Sequence, residues 1–296
     1  MDDATPQPTR PHRAQHHHAA LRVEYDGTPY HGWTRQPRLR TLQSDLAAAF
    51  EAVHCTDLHM RCAGRTDAGV HATAQVVDAH YQGSVAPERL AVALAAHLPD
   101  ELAVTHGEVA PVGFDARADA TSRAYEYRVL TRQIDSPTRA RLVHHHPRPL
   151  DRDALHEAAA AVLGTHRFSA FTPSRTAHVF FDRTIVESLW EERGDELVYR
   201  IRANAFLRHM VRITVGTMLE IARGERPMSD LHEMLDGAPR ASAGATALPT
   251  GLCLVDVTWM PVAGLPLPPG WRAGRPVEHR DPAVGGVGVV PFSSAG

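Results

Sequence analysis

The sequence predicts an α+β fold with a largely antiparallel sheet flanked by helices. Three observations carry that reading. Short strand-like segments with alternating or β-branched residues recur along the chain. Two of them adjoin in hairpin spacing around Gly194-Asp195. Helical stripes interrupt the strands. With 296 residues and 43% hydrophobic content, the chain is long enough to bury a real core as one large domain or two moderate ones.

In order, Leu21 to Tyr25 reads as a strand. Thr41 to Val53 reads as a helix, with Leu42, Leu46, Phe50 and Val53 on one stripe. Leu58 to Ala63 is a strand that leads into a Gly-rich turn, and Ala74 to Tyr81 is the next. Pro87 to His97 is a helix opening on an allowed first-turn proline. Leu102 to Val109 and Ala124 to Leu130 are strands. Asp151 to Leu163 is a helix capped by Asp151 and stopped by Gly164. Arg183 to Trp190 and Glu196 to Ala203 form the hairpin. Leu207 to Arg223 is the longest helix and ends at Gly224. Pro227 to Leu235 is a short helix, and Leu252 to Trp259 closes as a strand.

This division gives a half over residues 21–119 and a second over 120–261, of similar content but without a visible repeat. Residues 1–20 are low in apolar side chains and carry His16-His17-His18. Residues 262–296 are rich in Pro and Gly. Both are expected to be disordered tails. The histidine triplet is read as a polar tract, although a metal-binding role is chemically open to it.

No run of eighteen apolar residues occurs and the N-terminus lacks an apolar centre, so neither a membrane span nor a secretory signal is expected. Cys55, Cys62 and Cys253 form no Cys-x-x-Cys pair, which fits a reduced, cytoplasmic protein. The net charge of -3 does not announce a nucleic-acid binder. The sequence contains no lysine, so all 31 basic residues are arginine. GC-rich coding accounts for most of that bias, and the distribution of the arginines matters more, because a weakly acidic protein can carry a basic cleft.

Three segments hold candidate chemistry. The first is Gly64-Arg65-Thr66-Asp67-Ala68-Gly69-Val70-His71. Taken alone, it reads as a tight turn. Its content of Arg65, Asp67 and His71 raises it, since a carboxylate near a guanidinium stays ionised and can act as a nucleophile. In the second, Arg123-Ala124-Tyr125-Glu126-Tyr127-Arg128, the tyrosines share one face of a strand. One packs on the core; the other is placed to stack on a base. The third is Asn204 to Arg212, where Arg208 and Arg212 stand one helical turn apart with His209 beside them. A solvated basic edge or a carboxylate or phosphate contact both fit. Further basic residues gather at Arg35, Arg38 and Arg40 and at Arg139, Arg141, His144 to His146 and Arg148. These suit an RNA backbone or a solvated loop. The second histidine run lacks convergent ligands for a metal.

From Leu21 to Met260 the chain resembles the bacterial tRNA pseudouridine synthase A family. The resemblance rests on Glu24-Tyr25-Asp26-Gly27-Thr28, Tyr30-His31-Gly32-Trp33, Cys62 to His71, Gln75-Val76-Val77, Phe114-Asp115-Ala116-Arg117, Tyr125-Glu126-Tyr127, Phe168-Ser169-Ala170-Phe171, Arg183-Thr184-Ile185, Asn204 to Arg212 and Gly251-Leu252. It implies a pseudouridine synthase fold of two related halves. It also implies a homodimer acting on the tRNA anticodon stem-loop at positions 38, 39 and 40, without cofactor or metal. By resemblance Asp67 is the nucleophile, Arg65 assists base extrusion, Tyr125 is the active-site tyrosine and Arg212 pairs with Asp67. His71, Arg208 and His209 join Tyr125 and Arg65 as expected substrate contacts. The tails, His144 to His146 and the stretch from Thr172 to Phe181 depart from the family pattern. Rival readings are a catalytically silent RNA-binding protein of the same fold and an Asp-dependent hydrolase unrelated to RNA.

Overall fold

The computed structural model describes residues 15–259, apart from residue 177. Ten strands make one sheet: β1 (Gln15–Tyr25), β2 (Thr56–Cys62), β3 (His71–Gly83), β4 (Leu102–Val109), β5 (Ser122–Leu130), β6 (His144–His145), β7 (Gly164–Arg167), β8 (Asp182–Arg193), β9 (Glu196–Ala203) and β10 (Leu252–Thr258). The order is β4-β1-β3-β10-β5-β9-β8-β7, with β2 on β3 and β6 on β5. Pairings are antiparallel except β10 with β3 and β5 with β6. The first four strands thus lie on one side of β10, and β5 to β9 on the other. The α+β, largely antiparallel reading holds.

Among the described residues there are five α-helices: α1 (Leu42–Ala52), α2 (Leu90–Ala95), α3 (Arg152–Ala161), α4 (Met210–Ala222) and α5 (Met228–Leu235). Helix α1 buries Leu42, Leu46, Ala49 and Phe50, and Phe50 meets the edge of Tyr81 on β3. On the second half, Ser188 of β8 donates to the Ala159 carbonyl of α3 and pairs with the Tyr199 hydroxyl. The alternation of β5 puts Tyr125 and Tyr127 in the core while Glu126 meets Arg193 and Arg200 on the opposite face. No described helix is long and apolar enough to cross a membrane.

Several expectations need correction. Residues 15–20 are not a tail: β1 starts at Gln15, because that backbone ladders onto residues 78–83 of β3. Ala19 and Ala20 are fully buried, and His17 and His18 stack on Tyr81 and His80. Residues 1–14 and the expected C-terminal tail lie outside the described residues. The segment from Pro87 begins as a 3-10 turn and becomes helical only over Leu90–Ala95. The helix expected from Leu207 begins at Met210, after a left-handed His209. Strands β6 and β7 are too short to show a period.

Helix starts α1 and α3 follow local rules. Thr41 accepts from the Ser44 N–H, and Ser44 Oγ accepts from the Thr41 N–H at 3.0 Å. Asp151 accepts from Ala154 at 3.1 Å. Thr41→Ala removes one arm of a reciprocal cap and is expected to cost about 1–2 kcal/mol. Urea denaturation reads this as a lower midpoint at unchanged slope; an unmoved midpoint contradicts it.

Candidate active site

The turn between β2 and β3 carries Asp67, and buried polar groups fix its shape. The Gln75 amide grips Gly64 at both ends: its oxygen accepts from the Gly64 N–H at 3.3 Å, and its nitrogen donates to the Gly64 carbonyl at 2.6 Å. The same nitrogen donates to the Tyr25 hydroxyl at 3.1 Å, which pairs with Thr66 Oγ1 at 2.9 Å. Gln75 is fully buried, so leaving these groups unpaired would be costly.

Backbone packs directly on backbone around the turn. A methyl on Gly27 would fall 2.0 Å from the Val70 carbonyl oxygen. Gly32, at φ +89°, leaves 2.9 Å between such a methyl and the Thr66 carbonyl oxygen. Trp33 donates its N–H to Thr66, and Gly69 donates to Tyr30. These contacts explain why Gly27 and Gly32 stand in the segment after β1: only glycine admits another chain so closely.

The turn presents Asp67 to the start of α4. Arg212 Nη1 lies 3.4 Å from Asp67 Oδ2. Arg212 is itself aimed, since its Nε donates to the Ala247 carbonyl at 2.8 Å while the Ala247 N–H returns to the Arg212 carbonyl. Gly216 lets the loop carrying Ala247 close on α4: a methyl there would meet Ala245 O at 1.8 Å. His209 Nε2 stands 3.7 Å from the same Asp67 oxygen. Burial pushes His209 below its ordinary pKa; Asp67 pulls it up, and Arg212 and Arg208 oppose that pull.

Tyr125 is buried, close enough for the charge of Asp67 to act on it, with Phe206 edge-on at 5.1 Å. Burial first, then the charge of Asp67, raises its hydroxyl pKa, so it keeps its proton at neutral pH. Arg123, two residues back, joins the walls of the site. Its guanidinium is almost wholly buried and donates to the carbonyls of Ala63, Arg117, Ala120 and Asn204. Ala63 leads into the Asp67 turn; Asn204 leads toward His209. Burial pulls Arg123 down to about 10, which still leaves it charged.

The structure therefore brings Asp67, Tyr125, His209 and Arg212 together. Arg65 is in the same turn, exposed, without a side-chain hydrogen bond or ion pair among the described residues. Arg208 does not share a helix face with Arg212: it precedes α4, is exposed, and receives only a contact from its own N–H to His178 Nε2. His71 is buried at 4% exposure, and its Nδ1 faces the Gly27 N–H and Asp26, so it braces the turn rather than lining the surface. Tyr127 is core, but its hydroxyl also donates to the Leu248 carbonyl and pairs with His144 at 3.0 Å, which steadies the loop that aims Arg212. Sequence reasoning gave no role to Gln75, Arg123 or the loop at Ala247. A polar residue inside an apolar strand run was the available signal for Gln75.

Residues 21–117 and 158–259 match the family model described as tRNA pseudouridine synthase. The chain is 39% identical over 249 residues to the tRNA pseudouridine synthase A of Pseudoalteromonas atlantica, covering 83% of this chain and 94% of that one. It is 37% identical over 250 residues to the protein of that name from Tolumonas auensis, covering 84% and 96%. Against that from Shouchella clausii it is 38% identical over 241 residues, covering 81% and 92%.

Arg123→Met keeps the bulk but leaves several buried carbonyls unpaired, each worth about 1–3 kcal/mol. A loss of at least ~3 kcal/mol of folding stability is expected on that basis. Chemical denaturation measures it, and a variant within about 1 kcal/mol of wild type, the size of an ordinary surface change, disproves the clamp.

Proposed function

The chain belongs to the tRNA pseudouridine synthase family and isomerises uridine in tRNA, and from that premise we propose that it acts at positions 38, 39 and 40 of the anticodon stem-loop with Asp67 as nucleophile. The observation that carries the assignment to Asp67 is its placement. It is a partly exposed carboxylate, 3.4 Å from Arg212, and its charge reaches buried Tyr125.

The reaction is redox-neutral. The N1–C1′ bond breaks, a C5–C1′ bond forms, C5 gives up a proton and N1 takes one. Attack on the base, attack on the ribose and removal of a ribose proton all require one thing of Asp67: an ionised oxygen at a fixed position. Arg212 supplies the charge and the aim. The detached base must be retained while it turns, which favours a pocket floored by Tyr125 and Phe206. Tyr125, still protonated, offers a ring for stacking and a donor hydroxyl.

A stem uridine leaves its stack at a cost of roughly a few kcal/mol. In this reading Arg65, exposed in the same turn as Asp67 and without a side-chain hydrogen bond or ion pair among the described residues, fills the gap. His209 borders the same carboxylate and Arg208 adjoins His209; both serve as contacts to the substrate in this reading, with His71 acting from beneath through the turn. The same reading carries a homodimer and a cytoplasmic location, which the three unpaired cysteines suit.

Asp67→Ala is expected to bind tRNA and form no pseudouridine. Mapping pseudouridines in tRNA incubated with the pure variant tests it, and normal modification of the anticodon arm sinks the assignment. Arg65→Ala is expected to slow paired sites by roughly tenfold or more while loop sites suffer less. Equal rates at stem uridines remove its extrusion role.

A further inference from the structure

The histidine run of β1 plays no part in that chemistry, yet the sheet places it against other ligand-bearing side chains. The register sets His18 opposite His80 of β3, and His80 opposite His59 of β2. Directly paired residues share a face, so three histidines form one row across three strands. Asp78, two residues from His80, points to the same face and is fully buried.

His18 Nε2 is buried without a hydrogen-bond partner and lies 3.9 Å from Asp78 Oδ2. The His18 and His80 rings stack at 3.8 Å. One ligand atom from each of His18, Asp78 and His80 falls within 4.8 Å of the others. The charges also favour a cation. Arg61 holds Asp78 at 2.9 Å and Asp115 at 2.6 Å, with Asp119 close enough to act on it electrostatically. Three carboxylates thus face one guanidinium.

We propose that His18, Asp78 and His80 bind a divalent transition-metal ion of the zinc class, which staples the N-terminal end of β1 to β3. Two imidazole nitrogens and one carboxylate oxygen suit such ions rather than magnesium or calcium. The Ala116 N–H occupies Asp78 Oδ1 at 3.0 Å, and Arg61 Nε and Nη2 donate to Oδ2 at 3.1 and 2.9 Å, so the ion takes Oδ2 by displacing Arg61, which is half exposed and keeps Asp115 as its partner. Zinc–ligand distances of about 2.0–2.2 Å need the ligand atoms closer than they stand, and rotation of the exposed His80 supplies that movement. Water or His59 completes the shell. His80 lies nine residues along β3 from His71, roughly 30 Å at strand spacing, so the ion does not touch the reacting atoms. The segment carrying His18 also precedes residue 21, where the family match begins.

The test uses the full chain, stripped with chelator and titrated with Zn2+ by calorimetry and with Co2+ by absorption. One equivalent is expected to bind, Zn2+ is expected to raise the melting temperature, and His80→Ala and His18→Gln are each expected to weaken binding by more than roughly tenfold. His16→Ala with His17→Ala is expected to leave it intact. His80 is exposed and His18 only partly so, and circular dichroism confirms that both variants fold. No stoichiometric binding, or binding unchanged in His80→Ala, or binding that depends on His16 and His17 instead, overturns the proposal.

Discussion

A single contact across 145 residues, Arg212 to Asp67, organises the molecule. Each partner lacks what the other supplies. Helix α4 begins badly by local rules: it has no side-chain cap, no acidic residue in its first turn, a left-handed His209 at its N-cap and a cation as its third residue. Positive charge at that end opposes the helix dipole. The missing anion is Asp67, from the other half of the sheet. Conversely, the Asp67 turn has no basic neighbour that holds it, since Arg65 points to solvent. The two local defects cancel only when β10 brings the halves together, and such defects concentrate where a site must be built.

Holding that contact steady takes two kinds of support. One is close backbone packing: Gly27 and Gly32 seat the Asp67 turn, and Gly216 seats the loop that grips Arg212. Backbone-to-backbone contact has no rotamers to relax, so it fixes position well. The other is a set of buried polar groups whose every bond is spoken for. Gln75 and Tyr25 hold one wall, Tyr127 and His144 hold the other, and Arg123 spans both. Buried networks of this kind are stable only when complete, which couples the geometry of the site to folding itself.

This division explains what could be read from the chain. Strands with a hydrophobic period and helices with caps were legible because their causes lie within a few residues: Leu102–Val109 and the Asp151 cap fall where pattern put them. Asp67 was legible through its motif, since by composition the turn was ordinary. Arg123 was not, because a guanidinium on a strand looks solvated until its four carbonyl partners arrive from distant segments. Nor was the start of α4, because helical spacing from Leu207 onward masks a left-handed residue that only tertiary contacts stabilise. His16 to His18 looked like a polar tail because their pairing partners, residues 80–82 of β3, lie far along the sequence.

Pairing, rather than number, decides which arginines are free to attract an anion. Arg40 already holds Asp45 and Glu101, and Arg139 holds Asp195 and Glu196. Such a guanidinium gains little from a phosphate, because it must give up one carboxylate to take another anion. Arg35, Arg38, Arg65 and Arg208 are exposed, with no side-chain hydrogen bond or ion pair among the described residues. Trp33 binds the Asp67 turn through its backbone, so the loop bearing Arg35 borders Arg65, while Arg208 adjoins His209 on the opposite wall. Arg35, Arg65 and Arg208 thus lie near Asp67, while Arg89, in the turn before α2, and Arg175 are equally exposed and without a side-chain hydrogen bond or ion pair among the described residues. In a chain of net charge -3, ion pairs with carboxylates neutralise many of the arginines, and the guanidinium groups left over include Arg35, Arg65 and Arg208 near Asp67, where they add positive potential that suits a phosphate backbone.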